Sequence, residues 1–207
     1  MPRKPKQETA LVLRTCNADM TAYRGFQWPN EVGAVVTAPD WAANDECGQG
    51  LHGWLFGQGD YSSSNSATKS DAKWLVVEVV LADVIALGGK VKFPSCTIKH
   101  IGDKLSATSY LRANEPRALS VAVIGANVEA GNHALAETGA FGTATAGNWG
   151  TATAGESGTA TAGNWGTLCI KRWDGQRYRT EIAYVGENGI EANTAYKLDE
   201  NGKFVKA

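Results

Sequence analysis

Residues Gly142 to Trp165 read GTATAGNW, GTATAGES, GTATAGNW, three nearly identical copies of an eight-residue unit. The register continues upstream in drifted form as ALSVAVIG (118–125), ANVEAGNH (126–133) and ALAETGAF (134–141), and downstream as GTLCIKRW (166–173). Gly-Asn followed by a ring residue recurs at Gly131-Asn132-His133, Gly147-Asn148-Trp149 and Gly163-Asn164-Trp165, so the true period is sixteen, two octads to a coil. Self-similarity at a fixed period is the mark of stacked-repeat architectures. Within each octad the residues before the glycine alternate, and a period of two belongs to strands. Ala occupies the third and fifth positions of the clean copies, with Val128, Ala130, Leu168 and Ile170 in the drifted ones, so these face inward. The second and fourth positions are Thr or, upstream, Asn127, Glu129 and Glu137; charged side chains are seldom buried unpaired, so these face outward. Glycine and the polar residue after it are assigned the turn, because Gly accepts backbone angles that other residues resist.

The expected fold is therefore mainly β. A short β-solenoid of 16-residue coils lies between an N-terminal α+β domain and a C-terminal β-hairpin cap. Its segments are a basic tail (1–9), an α+β domain (10–117), the repeats (118–166) and a β-rich cap (167–207). Alanine-filled coils bury little area, at roughly 25 cal/mol per Å², and strand edges left open at solenoid ends template association, so the flanking segments are expected to cap the stack.

Outside the repeat, Leu11 to Leu13 and KWLVVEVVL (73–81) read as strands, as do KVKF, ending at Phe93, and Thr97 to Ile101. A helix from about Lys104 to Asn114 stops before Pro116, which cannot continue it. Tyr61 to Ser70 and the glycine-rich Cys47 to Asp60 read as loops. LCIKRW, Asp174-Gly175 and QRYRTEIAYV form a hairpin signal, and Trp173, Tyr178, Tyr184 and Tyr196 are candidates to seal the last coil.

The net charge of −1 argues against bulk attraction to nucleic acid or anionic membrane. No apolar run reaches eighteen residues, and the opening MPRKPKQETA lacks the apolar core of a secretory signal. Four widely spaced cysteines, Cys16, Cys47, Cys96 and Cys169, suit a reducing cytoplasm better than a disulfide framework.

The most chemical-looking residues are Cys47, His52 and Asp60, which offer a nucleophile with its base or two zinc ligands; a glycine-rich loop with a packed His accounts for the same spacing. No further paired ligands complete a metal site, and neither a metal nor a cofactor is expected. Tyr23 and Arg24, ahead of Phe26 and Trp28, suit either an aromatic and guanidinium lining or a turn over the core. Lys171, Arg172, Arg177 and Arg179 gather in the hairpin as a basic patch or a solvated face. On the repeat, Thr143, Thr145, Thr159 and Thr161 share one outer face, with Trp149 above Trp165 at the turns.

Taken in order, LVLRTCNADMTAYRGFQWP, APDW, ECGQGLHGWLFGQGD, AKWLVVEV, GGKVKFP, the GTATAG octads and the GTLCIKRWDGQRYR to YVGENGIEANTAYKLDENGKF ending resemble a family found in bacterial, phage and prophage genomes. In that family variable numbers of octads sit between the same flanking segments. The resemblance implies this architecture and a mobile-element setting, and it carries no activity. The octads are also similar to the GxxSTxTA repeats of ice-nucleation proteins, and the threonine array to the faces of antifreeze β-solenoids. That similarity implies an ice-contacting face, which Asn127 and Glu129 interrupt after two threonine rungs.

These readings favour a non-enzymatic protein-binding or self-assembling protein. Its partner would be a host protein, such as an immune complex of the CRISPR or another defence type, or a second copy of itself. It would act in the host cytoplasm, away from membrane and nucleic acid. A small-molecule binder or enzyme built on the Cys47 and His52 stretch, and an ice-binding protein, are the alternatives.

Overall fold

A computed structural model describes residues 7–207, and the basic tail expected over residues 1–9 lies largely outside them. The chain divides into two compact units, the first ending at Ser120 and the second spanning Val121–Ala207. Both are mainly β, and neither closes a barrel.

The first unit is built on seven strands: β1 (Thr9–Cys16), β2 (Val35–Thr37), β3 (Leu51–Leu55), β4 (Lys73–Val80), β5 (Ile85–Ala86), β6 (Val91–Phe93) and β7 (Ser95–Gly102). They form one antiparallel sheet in the order β2-β7-β4-β1-β3-β6-β5. Its centre is β1 against β4, paired from Thr9 with Val80 to Cys16 with Lys73. Both strands are largely apolar on both faces, as a strand buried on both sides requires, with Arg14 of β1 the buried charged exception. The helix α1 (Lys104–Asn114) has Asp103 as its N-cap, accepting from the Ser106 amide, and it ends ahead of Pro116. Glu115, 3% exposed, then ties the chain back: it accepts from the Leu11 amide at 3.0 Å and from Arg117 Nε at 2.6 Å. Burial alone would raise the Glu115 carboxyl, but the hydrogen bonds from Arg117 and the Leu11 amide, with the Arg117 charge, together outweigh it and hold the group below its ordinary value.

One expectation fails here. The glycine-rich stretch from Cys47 to Asp60 is not all loop, because Leu51–Leu55 is strand β3, paired with β1 and β6. Gly53 is what permits it: a Cβ there would strike Val12 and come within 2.8 Å of the Leu13 carbonyl, so the glycine lets β3 lie close to β1.

The second unit holds β8 (Asn127–Ala130), β9 (Leu135–Glu137), β10 (Thr143–Ala146), β11 (Thr151–Ala154), β12 (Thr159–Ala162), β13 (Thr167–Trp173), β14 (Tyr178–Tyr184), β15 (Tyr196–Leu198) and β16 (Phe204–Lys206). They form two mixed sheets, β16-β15-β12-β10-β8 and β14-β13-β11-β9. The repeat strands are parallel, each paired with the strand sixteen residues on: Thr143 with Asn127 and Thr159, Thr151 with Leu135 and Thr167. Ala136, Ala144, Ala146, Ala152, Ala154, Ala160 and Ala162 are buried between the sheets, and the threonines alternate to half-exposed outer positions. At the C-terminal side β14 and β15 add antiparallel, through a seven-pair hairpin with β13 and through Tyr196 opposite Ala160. Of the four aromatic residues expected to seal this end, Tyr196 alone is buried. Trp173, Tyr178 and Tyr184 stand about half exposed, because hairpin alternation turns them to the outer face.

The turns correct a second expectation. From residue 126 to 165 positive φ falls not on the glycines but on the last residue of each octad: His133 (55°), Phe141 (59°), Trp149 (53°), Ser157 (57°) and Trp165 (60°). The glycines are there for space. A Cβ on Gly163 would lie 2.5 Å from Asn148 Oδ1 and 2.7 Å from its amide nitrogen, and Gly147 meets Asn132 in the same way. Each asparagine in turn accepts from the next one along the stack, Asn148 N–H to Asn132 Oδ1 at 2.9 Å and Asn164 N–H to Asn148 Oδ1 at 2.8 Å. The rings follow, with His133 and Trp149 stacked at 5.0 Å and 1°.

Candidate functional site

In the first unit a cleft of about 1060 Å³ opens beside β1 and β3. It is lined by the end of β1 with the Tyr23 to Trp28 segment, by Pro39 and Asp40, by the Glu46 to Trp54 stretch, by Ser63 to Lys69 and by Lys90. Of the residues singled out from sequence, Tyr23, Arg24, Cys47 and His52 meet here. Asp60 does not line the cleft. Its carboxylate instead accepts from the amide and hydroxyl of Ser62, capping the following single turn.

His52 sits in β3 with Nε2 buried and without a hydrogen-bond partner. Its basicity is pulled down from 6.5 to about 4, first by burial and then by Lys90, Arg14 and Lys92, against which Asp40 is the lone opposing charge. A neutral imidazole at physiological pH follows. Cys47 is exposed on the cleft wall. No group of three or more His, Cys, Asp or Glu side chains able to hold a metal exists among the described residues.

Sequence reasoning missed Arg14. Side chains alternate along β1, and Ala10, Val12 and Cys16 all belong to the apolar core, so Arg14 occupies a core-facing position between Val12 and Cys16. It is 9% exposed, with its guanidinium carbon 3.6 Å from the centroid of the buried Trp28 ring. Its terminal nitrogens donate to the His52 carbonyl at 3.1 Å and the Thr15 carbonyl at 3.4 Å, while Nε has no partner. The parity of LVLRTC was the available signal.

In the second unit the parallel register stacks Thr143 under Thr159 and Thr145 under Thr161 on one outer face, with Asn127 and Glu129 on the rung before. The other sheet carries Thr151 and Thr153 next to Thr167 and Cys169, then Tyr184 and Ile182 of β14. Trp149 and Trp165 project from the turns, 55% and 74% exposed. The hairpin is less basic than its sequence suggests: Arg172 is paired with Glu181 at 2.8 Å and Arg179 with Asp174 at 2.6 Å, leaving Lys171 and Arg177 exposed on its surface.

A mainly β protein thus joins a domain with a charged cleft to a stack of parallel threonine-bearing strands. The chain belongs to the family described as a domain of unknown function, DUF7666, which matches residues 10–113, about half its length. It is also similar to the repeat region of ice nucleation proteins. It is 40% identical to one from Pseudomonas fluorescens over 111 residues, which is 53% of this chain and 9% of that one. A second, from Pseudomonas syringae, is 37% identical over 110 residues, 52% of this chain and 9% of that one. The ice nucleation protein InaU from Pantoea ananas is 32% identical over 144 residues, 64% of this chain and 14% of that one. The chain therefore spans about a tenth of the length of these relatives. No solved structure matches it.

Proposed function

We propose that the repeat strands form a short β-solenoid, coils over 118–166 closed by 167–207, whose flat threonine face binds an ordered lattice of water, making this an ice-binding protein. The observation that carries the reading is the register: Thr143 and Thr145 lie directly beside Thr159 and Thr161, so hydroxyls repeat at the roughly 4.8 Å strand spacing in one direction and two residues apart in the other. Similarity to the ice nucleation proteins supports it. With two clean rungs on a face, the expected behaviour is adsorption to ice that already exists rather than nucleation. The test is ice recrystallisation in sucrose solution. The protein should keep crystals small, and the outward double substitution Thr145→Lys with Thr161→Lys should remove the effect without changing the melting temperature. Crystals that coarsen at the buffer rate with millimolar protein would end this reading.

A second reading attaches to the other sheet. Trp173, Tyr178, Ile182 and Tyr184 are all about half exposed on the outer face of the β13–β14 hairpin, and such clusters mark protein contacts. There the protein would bind a partner or a second copy of itself in the cytoplasm of a bacterial or phage-infected cell, a compartment that suits its four free cysteines. A host-defence complex as that partner draws no support from the fold or the relatives. Sedimentation of the protein before and after Ile182→Lys distinguishes self-association from a monomer.

A further inference from the structure

We infer that the cleft of the first unit is a binding site for a phosphorylated small molecule, of the mononucleotide class, whose anionic group supplies the counter-charge that Arg14 lacks. This stands independently of the ice-binding reading, which concerns the other unit.

Two buried cations lie in the first unit, neither with a carboxylate partner among the described residues, and Arg14 is the one that lines the cleft. Lys92 is 0% exposed and turned away from the cleft, donating to two neutral acceptors, Asn44 Oδ1 at 2.5 Å and the Glu46 carbonyl at 2.9 Å. Arg14 is 9% exposed and has two backbone carbonyls, an unpartnered Nε, and no carboxylate within salt-bridge distance among the described residues. The groups that interact with it electrostatically are the thiols of Cys16 and Cys96. Both thiols are neutral at physiological pH, since burial raises Cys16 and pushes Cys96 up to about 12. A buried charge without a counter-ion is costly, and Arg14 is the one of the two that borders a cavity able to admit an anion.

The surroundings repeat the same sign. Arg24, Lys69 and Lys90 join Arg14 on the cleft wall against Asp40 and Glu46, a positive balance in a chain whose net charge is −1. A site with this excess suits a dianion better than a single carboxylate. At the mouth Tyr23 is 71% exposed, a flat apolar face against which a base can stack, with the Arg24 guanidinium 5.3 Å from its ring. The cleft, about 1060 Å³, is at the upper end of the range for small-molecule sites.

Isothermal titration of the full chain with the 5′-monophosphates of adenosine, guanosine, cytidine and uridine, with adenosine, and with inorganic phosphate tests this. At least one mononucleotide should bind, adenosine should not, and affinity should fall at least tenfold in the Arg24→Gln, Lys90→Gln double variant, whose exposed or half-buried side chains leave the fold alone. Inorganic phosphate binding as tightly as every mononucleotide would reduce the proposal to a bare anion site and overturn the nucleotide class. Arg14→Met provides the second arm: it should abolish binding while leaving the melting temperature of the unliganded protein equal or higher, because an uncompensated cation is removed. A melting temperature lowered by Arg14→Met, together with no heat from any probe at 10 mM, would assign Arg14 to the core and overturn the proposal.

Discussion

Gly131, Gly147 and Gly163 hold the same place in three successive turns, yet substituting the first and the last should move stability in opposite directions. None of the three has positive φ, so alanine is conformationally acceptable at each. On that ground alone Gly→Ala stabilises by about 0.4–1 kcal/mol, by restricting the unfolded chain. At Gly131 an added Cβ meets nothing within 4 Å, and this gain should appear whole. At Gly163 the Cβ would sit 2.5 Å from Asn148 Oδ1, 2.7 Å from Asn148 N and 2.9 Å from Gly147 C. Two of those atoms are backbone of the turn sixteen residues earlier and cannot rotate away. Overpacking of this kind costs about 1–3 kcal/mol, and loss of the 2.8 Å bond from Asn164 N–H to Asn148 Oδ1 adds roughly 1 kcal/mol. Gly163→Ala should therefore destabilise by about 1–3 kcal/mol net. Guanidinium unfolding followed by far-ultraviolet circular dichroism gives both values, read from the transition of the second unit. Equal effects of the two substitutions, or a neutral Gly163→Ala, would refute the claim that the repeat glycines are dictated by the spacing between turns sixteen residues apart.

Three further outcomes are expected. His52 has a folded-state value of about 4 against 6.5 unfolded, so the unfolded chain takes up the proton first: stability should be flat above pH 6.5 and fall as pH drops toward 4. At about 1.4 kcal/mol per pH unit the full loss is at most about 3.5 kcal/mol, and partial solvent screening of a half-buried ring brings it to roughly 1–2. Comparing chemical denaturation of the parent and His52→Gln across that range should show the parent losing more. Glu115→Ala leaves the buried Leu11 amide without an acceptor and Arg117 with only Glu8 and the Thr9 carbonyl, and should cost about 1–3 kcal/mol, whereas Glu8→Ala, which removes only the exposed partner of Arg117, should cost about 1 kcal/mol or less by the same unfolding measurement. Asn148→Ala breaks the middle rung of the asparagine ladder and should cost about 1 kcal/mol, with Asn164 N–H exchanging with deuterium faster than in the parent.

Sequence by itself determined the repeat strands and their facing, because an alternation of Ala and Thr copied every eight residues admits one pairing register that buries every alanine. It also determined α1, whose cap and terminating proline are local signals, and the hairpin about Asp174-Gly175. Tertiary structure alone decided why the octads need glycine: the constraint comes from Asn132 and Asn148, sixteen residues away, and the strained φ passes to His133, Trp149 and Trp165. It likewise decided that Leu51–Leu55 is a strand, since only β1 and β6 on either side give that glycine-broken segment its hydrogen bonds. Glu181 reaches Arg172 through strand register, which removed half of the expected basic patch together with Asp174. The cleft is the clearest case. Tyr23, Arg24, Cys47 and His52 were legible as chemistry, but Arg14, the residue that gives them a common charge to answer to, reads from sequence as the end of an apolar strand. Its isolation depends on which side chains the sheet packs around it, and no local pattern records that.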